Sequence, residues 1–307
     1  MLPERFNQNK NKYWREIVTN SYKIVSLVDL CGHEKYLKTT INGLTGLSPD
    51  FGCVVIGANM GVQKMTKEHI GLCLFLKIPF FIVLTKVDMC PQNKYDETLE
   101  ELRKILRHKL LNKFAIEITD KTTENEMIKT AELMPSGNVC PIFAVSSVSK
   151  MGFEALTDFL WRIEKVKEIT IEEAISQPFE FEINENFLVE GVGLVVSGII
   201  KSGVVVLNKP CLMGPDKLKN FKGVTVKSIH VNRVNRHEAY SGELACLCLK
   251  STKATEKLVR KDIRRGMVVI DNMEKPEPVT SFEAEMQVLH HSTTIKPHYE
   301  GVLHCGT

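Results

Sequence analysis

Four short apolar runs punctuate the first half of the chain: Ile24–Asp29 (IVSLVD), Cys53–Ile56, Phe80–Leu84 (FFIVL) and Ile142–Val145 (IFAV). Continuous apolar runs of this length predict strands buried on both faces, as in a parallel sheet covered by helices. Helices are predicted between and after them, over Glu34–Leu44, Thr66–Leu76, Asp96–Leu111 and Glu154–Val166. In the third of these, Leu99, Leu102, Ile105, Leu106 and Leu110 fall on one stripe at helical spacing. Its charges, Arg103, Lys104 and Arg107 among them, read as the solvated face of that helix rather than an RNA-binding strip. The strand–helix alternation predicts an α/β domain that ends near residue 168. The polar stretch Thr119–Asn138 predicts an exposed insertion or long loop.

After residue 177 the period changes. Phe179, Phe181 and Ile183 alternate with Glu180, Glu182 and Asn184, the period of a half-buried strand. Further short strands are predicted over Leu194–Ile199, Val204–Leu207, Val224–Ile229, Leu244–Leu249 and Met267–Ile270, with turn residues such as Lys201-Ser202-Gly203 between them. Short strands closely spaced by turns suggest a small closed barrel. Lys275-Pro276-Glu277-Pro278 reads as a linker, and Phe282–Leu289 as the opening strand of a third unit. The expected organisation is therefore an α/β domain over 1–168, a linker over 169–177, a β-barrel over 178–276 and the start of a second barrel over 281–307.

Composition narrows the class without naming a function. The 307 residues are 43% hydrophobic and 25% charged, with a formal net charge of +3. That balance gives a nucleic-acid partner little support except through local clustering. The nine cysteines form no Cys-x-x-Cys pair, and several, such as Cys53 and Cys73, sit inside apolar runs. This usage predicts buried thiols in a reducing cytosol rather than a disulfide frame. No run approaches the ~20 apolar residues of a membrane helix, and the N-terminus MLPERFNQNKNKYW has no signal-peptide core. A cytoplasmic protein with no membrane and no DNA partner is expected. Cys246 and Cys248 alternate along a strand with both side chains on one face, and read as core. His290, His291, His298, His304 and Cys305 match no familiar zinc spacing. Gly191-x-Gly193 lies between strands and lacks the third glycine of a dinucleotide site.

The residues that carry chemistry stand in order at the ends of the predicted strands. In an open parallel sheet those carboxyl ends border one crevice. Asp29-Leu30-Cys31-Gly32 follows the first run: Asp29 can hold Mg²⁺ through water, and Gly32 lets a backbone N–H approach a terminal phosphate. Taken alone, Asp-x-x-Gly is also a simple turn. His33 can orient a water for attack on a γ-phosphate, or merely start the following helix. Thr85-Lys86-Val87-Asp88 follows the third run. Asp88 can accept from guanine N1–H and the 2-amino group, donors that adenine lacks, while the Lys86 stem lies along the base. Ser146-Ser147-Val148 follows the fourth run and can offer backbone N–H groups to the guanine 6-oxygen.

Together these motifs resemble the elongation-factor-Tu-type translational GTPases, and among them the GTP-binding-protein-1/2 branch. The resemblance extends to Asp29–Thr40, Met65-Thr66-Lys67-Glu68-His69, Thr85–Cys90, the hairpin sequence Val189–Gly198 and Phe282–Thr307. It implies GTP/GDP and Mg²⁺ as ligands, Asp29 and Gly32 near Mg²⁺ and the γ-phosphate, and His33 as the water-orienting catalytic residue. Thr85, Lys86 and Asp88, helped by Ser146, Ser147 and Val148, would read guanine. A full-length member would hydrolyse GTP and act with tRNA, the ribosome or RNA-decay machinery. Three departures qualify that expectation. Thr85 stands where the family usually has Asn, although the GTP-binding-protein-1/2 branch is expected to share Thr, and a hydroxyl cannot make both contacts of an amide. Leu30-Cys31 replaces the common Thr/Cys-Pro pair, which loosens the backbone there. No Gly-x-x-x-x-Gly-Lys-Ser/Thr phosphate loop and no switch I threonine occurs in the chain. A fragment or incomplete gene model is thus expected rather than an evolved pseudoenzyme. The alternative reading is an inactive or non-hydrolysing binding module that acts through its barrel.

Overall fold

The computed structural model describes residues 10–166, 169–253, 255, 257–272, 276–285 and 296–300. They form two compact units, one over Ser21–Glu168 and one that joins the first twenty residues to Ile169–Thr307.

The first unit holds a parallel sheet of β1 (Gly52–Gly57), β2 (Phe80–Thr85), β3 (Phe114–Ile118) and β4 (Val139–Ala144), in the order β1-β2-β4-β3. The central strands β2 and β4 are buried along nearly their whole length, as their unbroken apolar runs require. Helices α2 (Leu37–Leu47), α3 (Lys64–Phe75), α4 (Gln92–Leu106), α5 (Glu124–Leu133) and α6 (Phe153–Arg162) complete the unit. One core cluster gathers Ile82 and Leu84 of β2 with Leu99, Leu102 and Leu106 of α4. A second gathers Phe81, Phe143 and Phe159 with Met127 and Ala131. The rings of Phe143 and Phe159 lie 5.0 Å apart, and those of Phe81 and Phe159 lie 5.4 Å apart. On the outer face of α4, Arg103 pairs with Glu100 and Glu117, so that charge is spent on solvated ion pairs.

Two expectations fail here. Ile24–Asp29 forms no strand: it runs irregularly, with Leu27 85% and Val25 48% exposed. A strand needs a neighbour for its backbone groups, and among the described residues none pairs with this segment. Thr119–Asn138 is not an insertion. It carries α5, started by a reciprocal cap in which Glu126 accepts from the Thr123 N–H at 2.8 Å and Thr123 Oγ1 accepts from the Glu126 N–H at 3.4 Å. Met127, Ala131 and Met134 of this polar-looking stretch are buried. Strand β3 was also missed: as an edge strand it leaves Phe114 73% exposed and shows no apolar run.

In the second unit, β5 (Glu180–Val189), β6 (Gly193–Ser202), β8 (Pro210–Gly214), β9 (Lys222–Val231), β12 (Leu244–Ser251) and β13 (Val268–Asp271) close into an antiparallel barrel in the order β9-β12-β6-β5-β13-β8, with β8 pairing back onto β9. Its interior holds Phe179, Phe181, Ile183, Val196, Leu247 and Val269, the inward members of alternating strands. β7 (Val204–Val206) and β11 (Glu238–Tyr240) form a separate ladder, and β10 (Val234–Arg236) pairs antiparallel with the end of β9. Helix α1 (Lys10–Asn20) belongs to this unit, with the guanidinium of Arg233 lying 4.6 Å over the Trp14 ring. Cys246 and Cys248 share the face opposite Ala245, Leu247 and Leu249 of the barrel interior; Cys248 is buried there, as expected, while Cys246 is only half-buried. Cys53 also departs from expectation: on the open edge strand β1 it is exposed. Phe282–Glu285 form no regular strand. The rest of that predicted strand, with His290, His291, His304 and Cys305, lies outside the described residues.

Candidate functional site

Parallel strands β1, β2 and β4 send their carboxyl ends to one edge of the sheet. Gly57 lies opposite Thr85, and Leu84 lies opposite Ala144. The loops leaving these strands therefore start about one strand spacing apart, ~4.8 Å. Two bonds tie the first pair: the Ala58 N–H donates to the Thr85 carbonyl at 2.9 Å, and Thr85 Oγ1 donates to the Ile56 carbonyl at 3.3 Å. Lys86 then adopts a left-handed conformation, φ 61°, before the 3₁₀ turn Val87–Met89. For a side chain such as lysine this costs on the order of 1–2 kcal/mol. Val87 packs against the core while Asp88 is exposed on the turn that leaves β2.

The neighbouring loop, 145–152, is tighter. The Val145 N–H donates to the Leu84 carbonyl at 2.8 Å, which carries the sheet register into the loop. Ser146 is fully buried, and its Oγ accepts from the N–H groups of Val148 at 3.2 Å and Ser149 at 3.1 Å. The Ser146 N–H donates to the Met151 carbonyl at 3.1 Å. Two of the three N–H groups expected to meet guanine are thus used internally. The Ser147 N–H is the one of the three with no bond inside the loop. Gly152 closes the turn at φ 74°, and a Cβ there would lie 2.0 Å from the Ala144 carbonyl oxygen.

The segment Asp29–His33 is placed separately, by α2. Leu30 packs against the core with its side chain over Gly43, and Thr40 Oγ1 donates to the Cys31 carbonyl at 2.6 Å. Asp29, Gly32 and His33 are all exposed. His33 caps the 3₁₀ turn Glu34–Tyr36: its Nδ1 accepts from the Lys35 N–H at 3.1 Å. Neutral imidazole in that bond carries its proton on Nε2, which leaves a donor facing outward. Among the described residues no cluster of three metal-ligating side chains exists. The single Asp29 carboxylate nonetheless fits Mg²⁺, which keeps its waters and takes one or two carboxylates with phosphate oxygens.

Two polar atoms of residues to which the sequence assigns no role are notable here. Asn59 Oδ1 and His69 Nε2 are buried without a hydrogen-bond partner. His69 faces Gly32, its Cε1 4.0 Å from where a Cβ on that residue would lie. Burial holds its pKa below the ordinary histidine value, against the opposing pull of Glu68.

The Elongation factor Tu GTP binding domain family matches residues 10–166. The chain belongs to this family. Within it, the chain is 41% identical over 301 residues to GTP-binding protein 1 of Xenopus laevis, covering 98% of this chain and 44% of that protein. It is 33% identical over 305 residues to GTP-binding protein 2 of Mus musculus, covering 99% and 49%. These matches place it in the GTP-binding-protein-1/2 branch, and the chain spans less than half the length of these relatives. The structure resembles that of translation elongation factor SelB from Methanococcus maripaludis in complex with the GTP analogue GPPNHP. The TM-score is 0.60 at 19% identity, covering 87% of this chain and 53% of that one. This likeness establishes the fold: an elongation-factor-Tu-like α/β domain followed by a β-barrel. Among the described residues no helix is long and apolar enough to cross a membrane.

Proposed function

We propose that the protein, at its natural length, binds guanine nucleotide at the carboxyl edge of the parallel sheet and hydrolyses GTP. The observation that carries this reading is the juxtaposition of the Thr85–Asp88 turn with the Ser146 loop on adjacent strands. A carboxylate acceptor and an unspent backbone N–H on neighbouring loops match the donor and acceptor edge of guanine and oppose that of adenine. Asp88 accepts from the base, the Ser147 N–H donates to the 6-oxygen, and the Lys86 stem covers the ring. Asp29 and the Gly32 N–H meet the metal and γ-phosphate side. Bound Mg²⁺ would neutralise phosphate charge. His33 orients the attacking water.

The elongation-factor family of the first unit supports translation as the setting. The partners proposed are tRNA and the ribosome, reached in the cytoplasm through the barrel; RNA-decay factors are a narrower version of the same proposal. The test is fluorescent GDP titration and GTP turnover of the natural-length protein, with and without ribosomes. His33→Ala is expected to slow turnover while sparing binding. Equal loss of both would make His33 a structural cap, and absence of turnover under every condition would favour a binding module.

A further inference from the structure

At the edge formed by β1 and β2 lies a side chain that the base-reading motif does not use. Asn59 stands two residues beyond β1, and its Oδ1 is buried with no hydrogen-bond partner. That oxygen folds back to 3.1 Å from the point a Cβ on Gly57 would occupy. Gly57 lies opposite Thr85 in parallel register, and side chains at opposed positions project to the same face. The Asn59 oxygen therefore lies where a Gly57 side chain would begin, at the position paired with Thr85. The space exists because residue 57 has no side chain.

Thr85 occupies the position where the family usually has Asn, and its short hydroxyl is spent on the Ile56 carbonyl at 3.3 Å. A buried amide oxygen without a donor is unfavourable, and a donor that arrives with a ligand would satisfy it. We propose that Asn59 supplies the carboxamide missing at position 85, as a nucleotide-binding residue of the guanine site. This inference rests on the guanine-nucleotide reading above. Two side chains on adjacent strands divide what one Asn would do. The Thr85 hydroxyl fastens the turn to β1, and the Asn59 oxygen accepts from an N–H or O–H donor that the bound nucleotide brings to the edge.

The test uses fluorescent GDP and the natural-length protein, with Asn59→Ala, Thr85→Asn and the double variant. Asn59→Ala is expected to weaken GDP binding by about tenfold, the size of one lost hydrogen bond. Because it removes an unsatisfied oxygen, it should leave the melting temperature without nucleotide equal or higher. Thr85→Asn in the Asn59→Ala background should restore most of the affinity, since it returns the amide to the turn. Unchanged binding in Asn59→Ala overturns the inference. So does a loss accompanied by a lower melting temperature and no rescue, which would mark Asn59 as purely structural. If the unsubstituted protein binds no guanine nucleotide, the site reading itself fails and this inference falls with it.

Discussion

Gly152 carries the sharpest mechanical demand in the candidate site. At φ 74° it closes the loop that begins at Ser146, and any Cβ would lie 2.0 Å from the Ala144 carbonyl oxygen and 3.1 Å from its carbon. Neither atom can retreat, because Ala144 ends β4 in register with β2 and the next residue bonds to Leu84. Gly152→Ala therefore combines the left-handed cost of an L side chain, about 1–2 kcal/mol, with backbone displacement of a strand end. Small-to-large strain of that kind adds about 1–3 kcal/mol, for a total near 3–4 kcal/mol. In a unit of this size each kcal/mol moves the melting temperature by roughly 2–4 °C, so a fall of about 10 °C is expected for the α/β unit. Differential scanning calorimetry of the chain would measure it, and GDP titration should show binding lost with the loop. A fall under 2 °C would refute the steric argument. A large fall with unchanged GDP affinity would instead detach the loop from guanine recognition.

Three further outcomes test the site. Asp88→Asn should weaken guanine binding and shift preference toward xanthine nucleotides, whose edge complements the amide; competition by XDP against GDP reads this out, and an unchanged preference removes Asp88 from base recognition. Ser147→Pro deletes the one N–H of the three that is not spent inside the loop, and should weaken GDP binding by about tenfold while Ser147→Ala leaves it alone; equal affinity in all three proteins would place the 6-oxygen elsewhere. His69 gives a pH dependence. Its folded pKa lies below 6.5, so the unfolded chain binds the proton more readily. Stability is then fully present above about pH 6.5 and is lost as pH falls through the window below it. Urea titrations of the α/β unit between pH 7.5 and 5.5 should show that loss, and His69→Gln should flatten it; identical slopes would show that His69 is not the group responsible.

The legible parts of this molecule were those whose sequence pattern is local. Phe80–Leu84 and Ile142–Val145 are buried on both faces, and an unbroken apolar run can satisfy that burial in few other ways. The leucine stripe of α4 and the alternation opening β5 were equally direct. Their ends carried the Thr85–Asp88 and Ser146–Val148 motifs in the right order. Amphipathic α5 was read as a loop because its polar face dominates the composition, although Thr123 and Glu126 already spell a helix cap. Edge strand β3 lacked the signal because one of its sides has nothing to bury against.

The chain by itself determined its family, the strand–helix alternation, the barrel and the order of the motifs proposed to read guanine, because each is written in local sequence pattern. The tertiary structure decided what depends on a partner in space. Ile24–Asp29, apolar enough to be a strand, stays irregular because strand formation requires a second backbone to complete its hydrogen bonds. Of the three N–H groups expected to meet guanine, only packing could show that two are spent inside the loop, on the Ser146 hydroxyl and the Met151 carbonyl, and that of Ser147 is left. And Asn59, unremarkable in the sequence, acquires meaning only when parallel register lays Gly57 beside Thr85 and buries an amide oxygen with nothing to accept from.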